Sequence, residues 1–308
     1  RRADDFLKVF WTSQFGRIQR GKLFDEWKDK YSTKTKVEQL AKDLAENAEM
    51  YSALELPDHE IWEEYSKICR DRVKILSILS NRQVHPILLA ALHRFENKSM
   101  EMLFMHLITL TVRYQIVGRG RTGALEIACA KVAGKIFNGE LNTPMKVWKE
   151  MAPLIPNDSD FKADFCQYSE TKGAKARYVL CALEMIAYEK TKGTVSTEWA
   201  PAEDTLSVEH IFPRNPSNVW SAEMQKDPEL RTQYVNRLGN LCLVDEKPNR
   251  QLAGSGFEKK KAELYSKSKL QLTSQIAKDY DAWNRSSIED RQRKLAEFAV
   301  LAWPLPQA

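Results

Sequence analysis

The sequence predicts a mainly α protein with a small α+β part at its C-terminal end. Three observations predict it. Amphipathic helical periodicity runs up to Gly193, the texture then changes to short β-branched runs, and helix returns at about Phe257. The 308 residues suffice for one large domain or two modest ones. The weak boundary near Gly193 divides a helical scaffold domain, 1–193, from a mixed domain, 194–308.

The elements follow in order. Thr35 with Glu38 forms a capping box ahead of "VEQLAKDL", where Val37, Leu40 and Leu44 share a face. "EIWEEYSKICRDRVKILSIL" repeats the pattern through Ile61, Tyr65, Ile68, Val73 and Leu76. His85 before Pro86 suits the first turn of "PILLAALHRF". A helix from Ser99 to Val117 stops at Gly118, and "GALEIACAKVAGKIF" gives the next. Thr143-Pro144 opens a short helix through Trp148, and "AKARYVLCALEMIAYEK" runs toward Gly193. "TLSVEHIF" and "NRLGNLCLV", ending at Val244, read as strands. Between them Arg214 to Tyr234 is polar, with Trp220 as its large apolar anchor. Ser287 with Asp290 forms a last capping box before a helix that halts at Trp303-Pro304.

Composition bounds the function. The chain is 43% hydrophobic and 10% aromatic, enough for a sizeable core and unlike a disordered chain. A net charge of +5 permits a nucleic-acid partner without demanding one. Five cysteines scattered without CxxC spacing argue against zinc or disulfide staples and for a reducing cytoplasm. The longest apolar stretch, Met102 to Val117, contains His106 and Arg113 and reads as a core helix, so no membrane span is expected. There is no signal-peptide pattern, and a first residue Arg1 in place of Met suggests a piece of a longer protein.

"GRGRTG", Gly118 to Gly123, matches GxGxxG, but helical segments flank it on both sides. A helix–helix turn with glycines at positive φ accounts for it better than a dinucleotide site. His85, His93 and His106 read as core or interface histidines, and His59 as a solvated one. The C-terminal third is different. "VEHIFP" places Glu209 and His210 at the end of a short strand, Asn240 opens the next strand, and Asn249 lies in the turn "EKPNRQ" before a basic helix. These residues suit phosphodiester hydrolysis. Imidazole titrates near neutral pH and can deprotonate water. A divalent cation can neutralise the developing charge, and magnesium needs few protein oxygens, which Glu209 and Asn249 can supply.

At this point the sequence resembles a known family. "VEHIFP", "GNLCLV" and "EKPNRQ" are similar to the three motifs of HNH (ββα-metal, His-Me finger) nucleases. The resemblance is closer to the C-terminal half of GmrSD-type modification-dependent restriction proteins, which carry EHIxP, RLGNLTL, N…FxxKK and a WP ending, here Trp303-Pro304. "DDFLKVFWTSQFGRIQRGKLFDEWK", "RYQIVGRGRTGALE" and "KARYVLCALE" extend the likeness upstream. The resemblance implies a helical scaffold followed by an HNH-like ββα-metal nuclease domain. It implies His210 as general base, Glu209 and Asn249 as ligands of magnesium, manganese or another divalent cation, and Asn240 as the residue that pins the inter-strand loop and orients His210. Arg214 and Arg250 would touch phosphate. The Lys259, Lys260 and Lys261 run reads equally as a phosphate contact or as a solvated helix face. This chain departs from many HNH enzymes in having Glu209 for Asp, Asn249 for His and a long span between His210 and Asn249.

Neighbours on a strand point to opposite faces, so Glu209 and His210 share one metal only if the strand end twists. Relatives carry a nucleotide-hydrolysing domain marked by a DGQQR segment, which this sequence lacks. No nucleotide is expected here, and such a domain is expected as a removed N-terminal part or a separate subunit. The leading function is a metal-dependent endonuclease acting on modified or phage DNA in antiviral defence. A catalytically inactive DNA-binding or regulatory module is the alternative, and a structural protein with a buried strand histidine is the third.

Overall fold

The computed structural model describes residues 2–193, 206–245, 252 and 254–306. Contacts divide the chain into two compact units, residues 1–155 with 305–308, and residues 156–304.

The first unit is helical: α1 (Arg2–Phe15), α2 (Leu23–Lys30), α3 (Lys34–Glu55), α4 (Lys67–Leu79), α5 (His85–Leu92), α6 (Asn97–Leu110), α7 (Thr122–Phe137) and α8 (Pro144–Met151). Its centre is α5, apolar all round and buried from His85 to Ala91, against which α1, α3 and α7 pack. Several ends differ from expectation by a residue or two. Thr33, not Thr35, caps α3, because its extended backbone aims the hydroxyl at the Lys36 N–H. The run from Glu60 is two elements, a 3₁₀ turn over Glu60–Glu64 and then α4, which Ser66 caps. His59 is part-buried; its Nδ1 accepts from the Ile61 N–H and caps that turn. In "GRGRTG" the left-handed residue is Arg119, at φ 49°, and not a glycine. Gly120 makes room for a side chain: a Cβ there would lie 2.3 Å from the Tyr114 ring, which would have to turn aside.

The second unit contains α9 (Asp158–Phe165), α10 (Gly173–Lys192), β1 (Ser207–His210), α11 (Ser221–Lys226), β2 (Leu241–Val244), α12 (Phe257–Lys260), α13 (Gln271–Asp279) and α14 (Arg285–Ala302). A π-helical turn, Lys261–Tyr265, continues α12. Gly193, at φ 70°, ends α10. The compact unit nevertheless begins before α10, at residue 156, because α10 packs on both strands and on α13 and α14. Asn284 caps α14 through the Ser287 N–H at 3.1 Å, displacing the expected cap at Ser287.

The strands pair antiparallel, with Glu209 opposite Cys242 and His210 opposite Leu241. All four β2 residues are buried, which suits their apolar, near-continuous run. The loop before β2 lies against α14. A Cβ on Gly239 would sit 2.3 Å from the Ile288 carbonyl, so glycine alone allows this approach. Gln292 accepts from the Gly239 N–H, and the buried Arg291 Nη1 donates to the carbonyls of Leu238, Gly239 and Leu241.

Glu184, on α10, is almost fully buried and accepts from the Gln271 and Leu272 N–H groups at the start of α13. Burial pushes its carboxyl up to about 7, against the pull of those two N–H groups and Arg291. A raised acid contributes stability below its unfolded value, near 4.5, that is lost as pH rises through 7. Urea midpoints are expected to fall between pH 5 and pH 8 by the equivalent of about 3 kcal/mol from this group. The Glu184→Gln variant should show a flatter profile.

Candidate active site

The end of β1 is held from two sides. Asn240, fully buried, accepts at Oδ1 from the Phe212 N–H (2.8 Å) and from Trp283 Nε1 (2.9 Å). Its Nδ2 donates to the carbonyls of Phe212 and Val235, both at 2.9 Å. Its own carbonyl accepts from the Ile211 N–H. The carboxamide thus spends four hydrogen bonds on one loop corner and leaves none for a reacting group. On the other side Lys260, also fully buried, contacts Glu209 Oε1 and donates to the carbonyls of His210 (3.0 Å) and Ile211 (3.3 Å). Burial raises the Glu209 carboxyl, and Lys260 pulls against that rise.

His210 points the other way. Its ring is part-buried at the rim of a cavity of about 290 Å³ that is also lined by Arg214, Arg177, Glu170 and Ser207. Arg214 Nε donates to His210 Nε2 at 3.1 Å, and Asn236 Oδ1, an acceptor that favours the protonated ring, lies 3.3 Å from the same nitrogen. Arg214 Nη2 also reaches the Thr171 carbonyl at 3.5 Å. Burial, with Arg214 next, lowers the imidazole to about 4. At neutral pH the ring is therefore uncharged, with the Nε2 lone pair turned toward a guanidinium. That nitrogen can accept a proton, and an anion drawn to Arg214 would make it a stronger base.

A profile described as GmrSD restriction endonucleases, C-terminal domain, matches residues 155–298. Residues 155–298 belong to that family. No curated protein matches the chain. The GmrSD C-terminal domain coincides closely with the second compact unit, residues 156–304. No helix among the described residues is long and apolar enough to cross a membrane.

Within the GmrSD C-terminal domain, the assigned residues fall into separate groups. His210 and Arg214 come together at the cavity. Glu209 lies on the opposite face of β1, in the core, paired with Lys260. This corrects two assignments. Lys260 is not a phosphate contact, because its ammonium is sealed from solvent. Glu209 does not fit a metal-ligand role beside His210, because strand alternation turns it away and a lysine already binds it. Lys259 is exposed, and Lys261 donates to the Tyr280 carbonyl and Asp281. Asn249 and Arg250 lie outside the described residues. Among the described residues no group of three or more His, Cys, Asp or Glu side chains could hold a metal ion.

Sequence reasoning passed over Asn236, Arg177, Arg291 and Gln292. Asn236 had a signal of sorts, being a polar residue directly ahead of "RLGN". The two C-terminal residues had none, since on helical periodicity alone they look like solvated α14 positions.

Proposed function

We propose that this chain carries the nuclease part of a restriction system and hydrolyses phosphodiester bonds of modified or phage DNA in the cytoplasm. The observation that carries this reading is an imidazole whose Nε2 faces an arginine at the rim of a cavity, in a domain of a restriction endonuclease family. His210 accepts the proton of the attacking water at Nε2. Arg214 leaves Nε2 for the phosphate, and its lost contact, together with the phosphate's charge, raises the imidazole toward a useful basicity. The β1–β2 hairpin followed by α12 supports an HNH-like reading of the fold. A divalent cation, when bound, would neutralise charge on the phosphoryl and leaving oxygens. Glu209 is not among its ligands, and Asn249 is the remaining residue assigned to it. Exposed Lys259, and Arg250, which lies outside the described residues, extend the proposed phosphate contacts, and a nucleotide-hydrolysing partner domain or subunit completes the proposed system.

Plasmid DNA incubated with magnesium or manganese tests the reading: nicked or linear product is expected. DNA retention that falls steeply with salt, with no cleavage under any divalent ion, would favour the inactive DNA-binding module instead.

Arg214→Met gives a pH test. A general base works only when neutral, so kcat/KM falls as pH drops through its pKa. With His210 lowered to about 4, the wild-type profile should stay level down to about pH 5. Without the guanidinium the imidazole rises, and the acidic limb should move to higher pH. An unmoved limb would show that the limb does not belong to His210.

A further inference from the structure

We propose that Lys260 is a positioning residue for His210, its buried ammonium standing behind β1 in the place that the Glu-His motif would otherwise offer to a metal ion. The inference rests on the reading of His210 as the base. Burying an ammonium is costly unless every donor is satisfied and a counter-ion is close. Lys260 meets both conditions: three donors meet three oxygens, those of the Glu209 carboxylate and of the His210 and Ile211 carbonyls. Two of those oxygens belong to the peptide groups on either side of Ile211, immediately after the base. Asn240 holds the second of these peptides by its N–H, that of Phe212, and the following peptide by the Phe212 carbonyl. The backbone that aims the imidazole is thus clamped between a cation and a carboxamide. Glu209 is the partner that holds the lysine in place, which explains why an acid precedes the histidine although its side chain points to the other face.

The test uses four full-length proteins: wild type, Glu209→Gln, Lys260→Met and the double variant. Three measurements are made on each: the urea midpoint, manganese affinity by calorimetry without DNA, and kcat and KM for plasmid cleavage. Lys260→Met strands a buried carboxylate and is expected to lose the most stability, while the double variant recovers most of that loss. Manganese affinity should be the same in wild type and Glu209→Gln. In the double variant kcat should fall at least tenfold with KM unchanged, a split that a merely structural pair would not give. A tenfold weaker manganese affinity in Glu209→Gln would overturn the proposal and restore Glu209 as a metal ligand. A stable double variant with wild-type kcat would reduce the pair to a structural one. If wild type cleaves nothing, the nuclease reading fails by itself. The positioning claim is then read from the His210 ring signals by NMR, with one sharp orientation beside Asn236 expected in wild type and broadening in the double variant; identical signals would overturn it.

Discussion

His210→Ala is expected to lower plasmid cleavage by about 10²–10⁴-fold, the usual contribution of a positioned general base. KM for DNA should change little, because the exposed Arg214 and Lys259 remain. The fold should persist. His210 is only part-buried, and its ring contacts are Arg214, which is exposed, and Asn236, which is half-buried, so both can turn to water. Circular dichroism and the urea midpoint check that point alongside the cleavage assay. Equal cleavage by wild type and variant would remove His210 from the mechanism. A large loss of stability without a specific loss of activity would instead favour a histidine kept for packing.

Asn240→Ala should behave in the opposite way. Its carboxamide serves two buried N–H groups and two buried carbonyls, and alanine strands all four. Stranded buried polar groups cost about 1–3 kcal/mol each, so a total loss of about 4 kcal/mol is expected after partial relaxation. Asn240→Asp should also destabilise, since one carboxylate oxygen would face the Phe212 and Val235 carbonyls. Urea denaturation measures both. Should either variant keep its wild-type midpoint while losing cleavage, Asn240 would act in the chemistry and not in the corner.

Much of the fold was legible because it rests on local pattern. β1 and β2 lie within the two short runs expected to form strands, "TLSVEHIF" and "NRLGNLCLV", and α10 ends at the expected glycine. Caps shifted where the competing residue lay just upstream in an extended conformation, as at Thr33 and Asn284. The site was legible only in part. His210 and Arg214 are four residues apart, so their meeting could be guessed from the motif. Glu209 and Lys260 are 51 residues apart, and nothing in "FEKKK" distinguishes the middle lysine from its neighbours until the helix turns it inward. Pairing across such a distance is a property of packing, which a single chain's periodicity does not report.

The approach of Gly239 to α14 has a consequence for how the molecule matures. The loop that leads into β2 draws its hydrogen bonds from Arg291 and Gln292, more than fifty positions downstream. A nascent chain that has already emerged through the hairpin therefore still lacks the template that closes it. The corner that carries residues 238–241 can close only once α14 has been made and has docked.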